Sequence, residues 1–237
     1  MKDYQTAYWT RLLVDRASDL PLQRMLAWIQ AESQGYPQSL GASTEVGLFQ
    51  IDMQDGPAFG GSVETLHANF CEGRRRVRDL TDDEEALQID TGANMVRAFY
   101  RDAQAKLAAQ GASWSEDDVW CFTKLHHALP IIQRALVAAK GAGAAASWGD
   151  FKAYVNTLAG EDAAAAMNAS TAQVNRYYAY EGTNAWNRYF DNAELVGYTS
   201  IVGMIGGGGL TATGKAVLAL LALGGLMYYG GHYGISI

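Results

Sequence analysis

Apolar positions recurring at offsets of three and four divide much of the chain into helical stripes. Leu22, Met25, Leu26 and Ile29 share one face of a helix entered after Asp19, with Pro21 in its first turn. Gly35, Tyr36 and Pro37 break that pattern. Ile89, Val96, Phe99, Ala103 and Leu107 form a second stripe, and Trp148, Phe151, Val155 and Leu158 a third. With only 4 prolines in 237 residues, these stripes predict a mainly α fold, with short strands confined to residues 45–55. The segment 52–73 carries the turn signals Gly56-Pro57 and Gly60-Gly61, and forms either one lip of a groove or a plain helix connection.

The first stripe continues onto a charge. Glu32 follows Ile29 by three residues and so falls on the apolar face near the helix end. A carboxylate on a core-facing stripe is desolvated, which disfavours its charged form and raises its pKa toward that of a working general acid. The other reading is a Glu32 that turns outward at a fraying helix terminus. Just downstream stands the run Gly47-Leu48-Phe49-Gln50-Ile51, which weights the first reading.

Glu32, Ser33, Pro37, Gly47, Leu48, Phe49, Gln50 and Ile51 together resemble the soluble lytic transglycosylases, whose lysozyme-like fold is related to goose-type lysozyme. That family has a catalytic Glu followed by Ser, a Pro a few residues on, then Gly-Leu-Met-Gln-Ile; Phe49 stands at the Met, and the spacings agree without a gap. The resemblance is tight over residues 22–51 and loose over 22–140. Asn94, Phe99 and Tyr100 echo a family helix with an Asn and paired aromatic residues. His126-His127-Ala128-Leu129-Pro130 stands where the family reads Tyr-Asn-Ala-Gly-Pro. The resemblance implies a lysozyme-like catalytic domain over 1–160 that cleaves the β-1,4 bond between MurNAc and GlcNAc to a 1,6-anhydro product. It implies Glu32 as the catalytic residue, with Ser33, Gly47, Leu48, Phe49, Gln50, Asn94, Tyr100 and His126 around the glycan. The family Tyr lies near the catalytic Glu, so His126 is expected to supply the hydrogen bond in its place. The alternative for both His126 and His127 is a partly buried helix end satisfied by backbone.

The chemistry asks for the same residue types. Glycoside cleavage through an oxocarbenium-like transition state needs a proton donor on one face of the sugar and a nucleophile or second carboxylate on the other. In the family the muramic acid hydroxyl is the nucleophile, so one carboxyl serves first as acid and then as base. Gly47 lets backbone approach a sugar, and Gln50 offers a donor and an acceptor to acetamido groups, while Leu48, Phe49 and Ile51 pack behind. Glu45 and Asp52 flank this run, which keeps a two-carboxylate hydrolase open.

Charge and composition narrow the setting. A net charge of −7 argues against a dedicated nucleic-acid binder, and the basic cluster of Arg74, Arg75, Arg76 and Arg78 is followed at once by Asp79, Asp82, Asp83, Glu84 and Glu85, a solvated charged turn before a helix. With 4 His, 2 Cys (Cys71 and Cys121) and no paired ligand spacing, neither a metal nor any other cofactor is expected, and no disulfide framework. Residues 161–194 read as an aromatic-rich helical extension containing Tyr177, Tyr178, Tyr180, Trp186, Tyr189 and Phe190. From 195 to 237 the only charged side chain is Lys215, and 216–237 is long enough to span a bilayer. Four helix-interior glycines at 206–209 would cost roughly 3 to 4 kcal/mol relative to alanine, so a hinge before one spanning helix is favoured over a helical hairpin. The alternative is a homo-oligomer or particle interface using Gly203, Gly207, Gly230 and Gly234.

Residues 1–20 contain Asp3, Asp15 and Asp19 and no apolar segment typical of a secretory signal. Peptidoglycan lies outside the inner membrane, so the expected carrier is a bacteriophage virion. The protein would be assembled in the host cytoplasm among other virion proteins, then delivered to the envelope during genome ejection. The competing class is a structural ejection or membrane-channel protein with a degenerate lysozyme-like domain.

Overall fold

Capping residues and glycines mark where each stripe becomes a helix. The computed structural model describes residues 1–39, 44–52, 54–60, 81–178 and 186–199, and it is mainly helical. Helix α1 (Asp3–Arg16) lies against α2 (Leu22–Ser33). Pro21 is the N-cap of α2, one position before the first turn expected for it, and α2 ends on Gln34 and Gly35, both in the left-handed region with φ of 55° and 84°. Two side chains of α1, Gln5 and Trp9, donate to the Gly35 carbonyl at 3.0 Å each, so α1 pins the end of α2 where Glu32 sits.

A two-stranded antiparallel hairpin follows, β1 (Glu45–Val46) and β2 (Ile51–Asp52), inside the window expected for strands. A single turn of 3₁₀ helix spans Gly56–Phe59. The long helix α3 (Asp82–Ala109) starts with a capping box between Thr81 and Glu84, and four acidic residues, Asp82 to Glu85, occupy the first turn, where the helix dipole favours them. Part of the charged turn read in the sequence is thus the start of this helix. Helix α4 (Glu116–Ala128), capped by Ser115, crosses α3, and α5 (Pro130–Gln133) and α6 (Leu136–Gly141) continue from it. Then come α7 (Trp148–Thr157), α8 (Gly160–Ala166), α9 (Thr171–Tyr178) and α10 (Trp186–Gly197).

Burial follows the stripes. One buried cluster joins α1, α2, the hairpin turn and the N-terminal half of α3, with Leu26, Trp28, Ile29, Leu48, Phe49, Ile89 and Val96 at its centre. The other joins the end of α3 to α4 through α10, around Phe122, Leu125, Trp148, Phe151, Trp186 and Phe190. Residues of 163–178 and 186–193 therefore share one core with residues 103–158. Helix α10 packs on both α4 and α2. Its last turn is held by Arg24 of α2, which donates to the Gly197 carbonyl and pairs with Asp117 of α4 at 2.5 Å.

Among the described residues no helix is long and apolar enough to cross a membrane. The Arg74 to Arg78 cluster, Asp79, Cys71, the segment 61–73, Tyr180, the glycines at 206–209 and the apolar stretch 216–237 lie outside the described residues.

Candidate active-site cavity

A cavity of about 600 Å³ opens where the two clusters meet, within the range of small-ligand sites. Glu32 comes to it from α2, Gln50, Glu45 and Asp52 from the hairpin, Phe99 from α3, Lys124 and His127 from α4, and Arg188, Tyr189 and Asn192 from α10.

Glu32 does not stand alone in it. Its Oε1 accepts a hydrogen bond from Lys124 Nζ at 2.5 Å, and His127 Nδ1 lies 3.2 Å from the same oxygen, within ion-pair reach but outside hydrogen-bond geometry. The Lys124 side chain is 1 % exposed and that of Glu32 16 %. The ammonium sits 5.2 Å from the Trp28 ring centre, and the His127 ring packs between Trp28 and Phe99 at 5.3 and 5.6 Å.

This pairing reverses the charge state expected from the stripe. Burial alone would raise the Glu32 pKa, but the Lys124 charge and the His127 contact outweigh it and bring it down to about 2, against an ordinary 4.5. In the resting site Glu32 is a carboxylate, not a protonated acid.

The turn below the cavity is held from behind. Gln88 of α3 accepts from the Leu48 amide and donates to the Pro37 carbonyl, both at 2.8 Å, and so ties the turn to the segment after α2. Gly47 has φ +79°, and a Cβ there would lie 2.5 Å from Gln88 Oε1. The left-handed backbone and the closeness of Gln88 both favour glycine at this position. Leu48 and Phe49 are buried behind the turn, with the Phe49 ring flush against Gly92, where any Cβ would overlap it. Gln50 holds a left-handed φ of 49°, and its side-chain amide donates to Gly47 O at 2.8 Å and Ser39 O at 3.2 Å. Of the residues in the Gly-Leu-Phe-Gln run, Gln50 is the one that lines the cavity. Glu45 and Asp52 are Cα partners across the hairpin, and both line it too; Asp52 accepts from Thr44 Oγ1 at 2.6 Å.

The remaining expected residues serve the scaffold. Ser33 Oγ donates to the Ile29 carbonyl at 3.1 Å and accepts from the Gly35 amide at 3.2 Å, which closes the end of α2. Asn94 donates to the Phe59 carbonyl at 3.0 Å and so fixes the 3₁₀ turn beside the cavity. Tyr100 packs against Trp120 in a tilted pair, ring centres 4.5 Å apart, and does not line the cavity. His126 does not take the place of the family Tyr beside Glu32. Its Nε2 meets Asp102 and Lys106 of α3, with its pKa lowered first by burial and then by Lys106. One residue further along α4 turns the side chain by about 100°, and this brings His127 to Glu32.

Sequence reasoning passed over Lys124, Arg188 and Asn192, and it named Tyr189 only within the aromatic-rich extension, without placing it beside Glu32. For Lys124 a signal existed: it lies four residues after Trp120 and three before His127, a cation on an otherwise apolar helical face, as Glu32 is an anion on one. For the α10 residues there was none, since only the docking of that helix brings them to the hairpin. Tyr189 is half-buried there, its pKa raised first by burial and then by Tyr177, with smaller contributions from Glu45 and Glu32.

Scans against family models, curated proteins and solved structures return no match to this chain.

Proposed function

We propose that the cavity binds a peptidoglycan glycan strand and that Glu32 cleaves it as the acid/base of a lytic transglycosylase on a lysozyme-like fold. The observation that carries this reading is the convergence of Glu32 and Gln50 on one open cavity, in the residue types and spacing of that family. Glu32 gives a proton to the leaving glycosidic oxygen as the bond to the anomeric carbon breaks. The 6-hydroxyl of the same muramic acid then attacks that carbon and returns its proton to Glu32, closing the anhydro ring.

Product analysis on purified sacculi tests the reading. Anhydromuropeptides are expected from the wild type and none from Glu32→Gln. Because Glu32→Gln strands a buried lysine, the double variant Glu32→Gln/Lys124→Met serves as the folded inactive control. Equal product from wild type and both variants would reject Glu32. A product heavier by one water would instead assign hydrolysis, with Glu45 or Asp52 as second carboxylate.

A second reading is favoured by one observation, the Lys124 contact that keeps Glu32 ionised. In it the domain binds glycan without cutting it, as part of a structural ejection protein. Wild-type protein that co-sediments with sacculi yet releases nothing would establish that case. Carriage in a phage particle, with residues 195–237 packed in it or inserted in a membrane, belongs to the same proposal. Peptide mapping of purified particles and liposome flotation of the full chain test those two parts.

A further inference from the structure

Lys124 is the most deeply buried cation bordering the cavity, 1 % exposed, and its ammonium is committed to the one carboxylate proposed for the chemistry. A salt bridge between α4 and α2 alone would not need to be here, since Arg24 and Asp117 already join those helices. Both Lys124 and His127 address Oε1, and Trp28 and Phe99 wall the group from behind. We propose that Lys124 is the positioning residue that stores the catalytic proton: it aims the Glu32 carboxylate in the open site and passes it the proton when bound glycan excludes water. This rests on the transglycosylase reading above.

The physical drive is desolvation. An ion pair draws part of its stability from water at its open edge, whereas the neutral carboxylic acid and amine do not, so filling the cavity shifts the pair toward neutrality. The proton balance closes. Lys124 NH₃⁺ and Glu32 COO⁻ become NH₂ and COOH. Glu32 protonates the leaving oxygen as the C–O bond breaks, the 6-hydroxyl proton comes back to Glu32 as the new C–O bond forms, and Glu32 returns it to Lys124. Lysine suits the task because an amine can release and regain one proton, whereas a guanidinium holds its own. The other titratable or charged groups facing the pair are His127, Glu45, Asp52, Asp55, Arg188 and Tyr189.

The experiment is the pH profile of kcat/KM on sacculi for wild type, Lys124→Arg and Lys124→Met, with sacculus binding and circular dichroism as folding controls. Lys124→Arg keeps the charge but not the transferable proton, and is expected to lose about 100-fold or more at every pH. Lys124→Met must take its proton from solution, so its activity is expected to vanish at neutral pH and return as pH falls. Wild-type activity is expected to persist as pH rises through 4.5, the ordinary carboxyl value. Activity in Lys124→Arg within a few-fold of wild type would overturn the proposal. So would a Lys124→Met more active than wild type at neutral pH, or a wild-type activity that falls away as pH rises through 4.5. The last result keeps the test decisive if both variants misfold. An inactive wild type would instead reject the transglycosylase reading, and this inference with it.

Discussion

Removing one member of the Glu32–Lys124 pair strands the other in a buried position. Glu32→Gln is expected to lose about 3–5 kcal/mol in urea unfolding, and adding Lys124→Met is expected to recover most of it, because a neutral pair of similar volume needs no counter-charge. The pH dependence follows from the same pair. The Glu32 pKa is lowered from 4.5 to about 2 in the folded protein, so its stabilisation is fully present above 4.5 and is lost as pH falls toward 2. The size is about 3 kcal/mol, from the linkage of about 1.4 kcal/mol per pH unit. His126 acts in the same direction higher up: its folded pKa lies below 6.5, so its contribution is present above 6.5 and is lost as pH falls. Melting curves between pH 7 and 3 should show both steps, and Glu32→Gln/Lys124→Met should shrink the lower one only, leaving the part due to Asp19 and Asp102, whose pKa values are also lowered.

At the scale of elements, the hairpin turn and α10 set the two sides of the cavity. Gly47→Ala puts a side chain at φ +79° and against Gln88 Oε1, and is expected to cost about 1–3 kcal/mol by thermal melting. Trimming Gln88 as well relieves the contact but leaves the backbone cost, so Gly47→Ala/Gln88→Ala should remain below Gln88→Ala alone. On the other side, Arg24 bonds the end carbonyls of α10 and pairs with Asp117. Arg24→Met is expected to cost about 2–3 kcal/mol and to raise amide exchange in α10 before the rest of the molecule.

For the whole molecule, the common core of α4 through α10 has a consequence for where the chain can be cut. A fragment of residues 1–160 lacks Trp186, Phe190 and Ala193 from that core, and lacks the α10 wall of the cavity. It is expected to melt without a cooperative transition and to bind a hydrophobic dye, whereas residues 1–199 should melt cooperatively. The converse result, a cooperative 1–160 fragment, would support the boundary that the sequence alone suggests.

Local pattern was enough for the helices, because periodicity three to four and capping residues such as Thr81 and Ser115 act within a few residues. It was enough for the strand window and for the burial of Leu48 and Phe49, whereas the expectation that Glu32 and Gln50 share a site came from the resemblance, and both do line one cavity. It was not enough for the charge on Glu32. A pKa belongs to neighbours, and the neighbour that decides this one is 92 residues away on another helix. Which histidine faces Glu32, and that Gln88 lies against Gly47, were likewise decided only when α3 and α4 packed against α2 and the hairpin. A sequence states which face of a helix is apolar, but the register between two faces is a matter of packing, and only that register turned two odd charges on separate stripes into one buried ion pair.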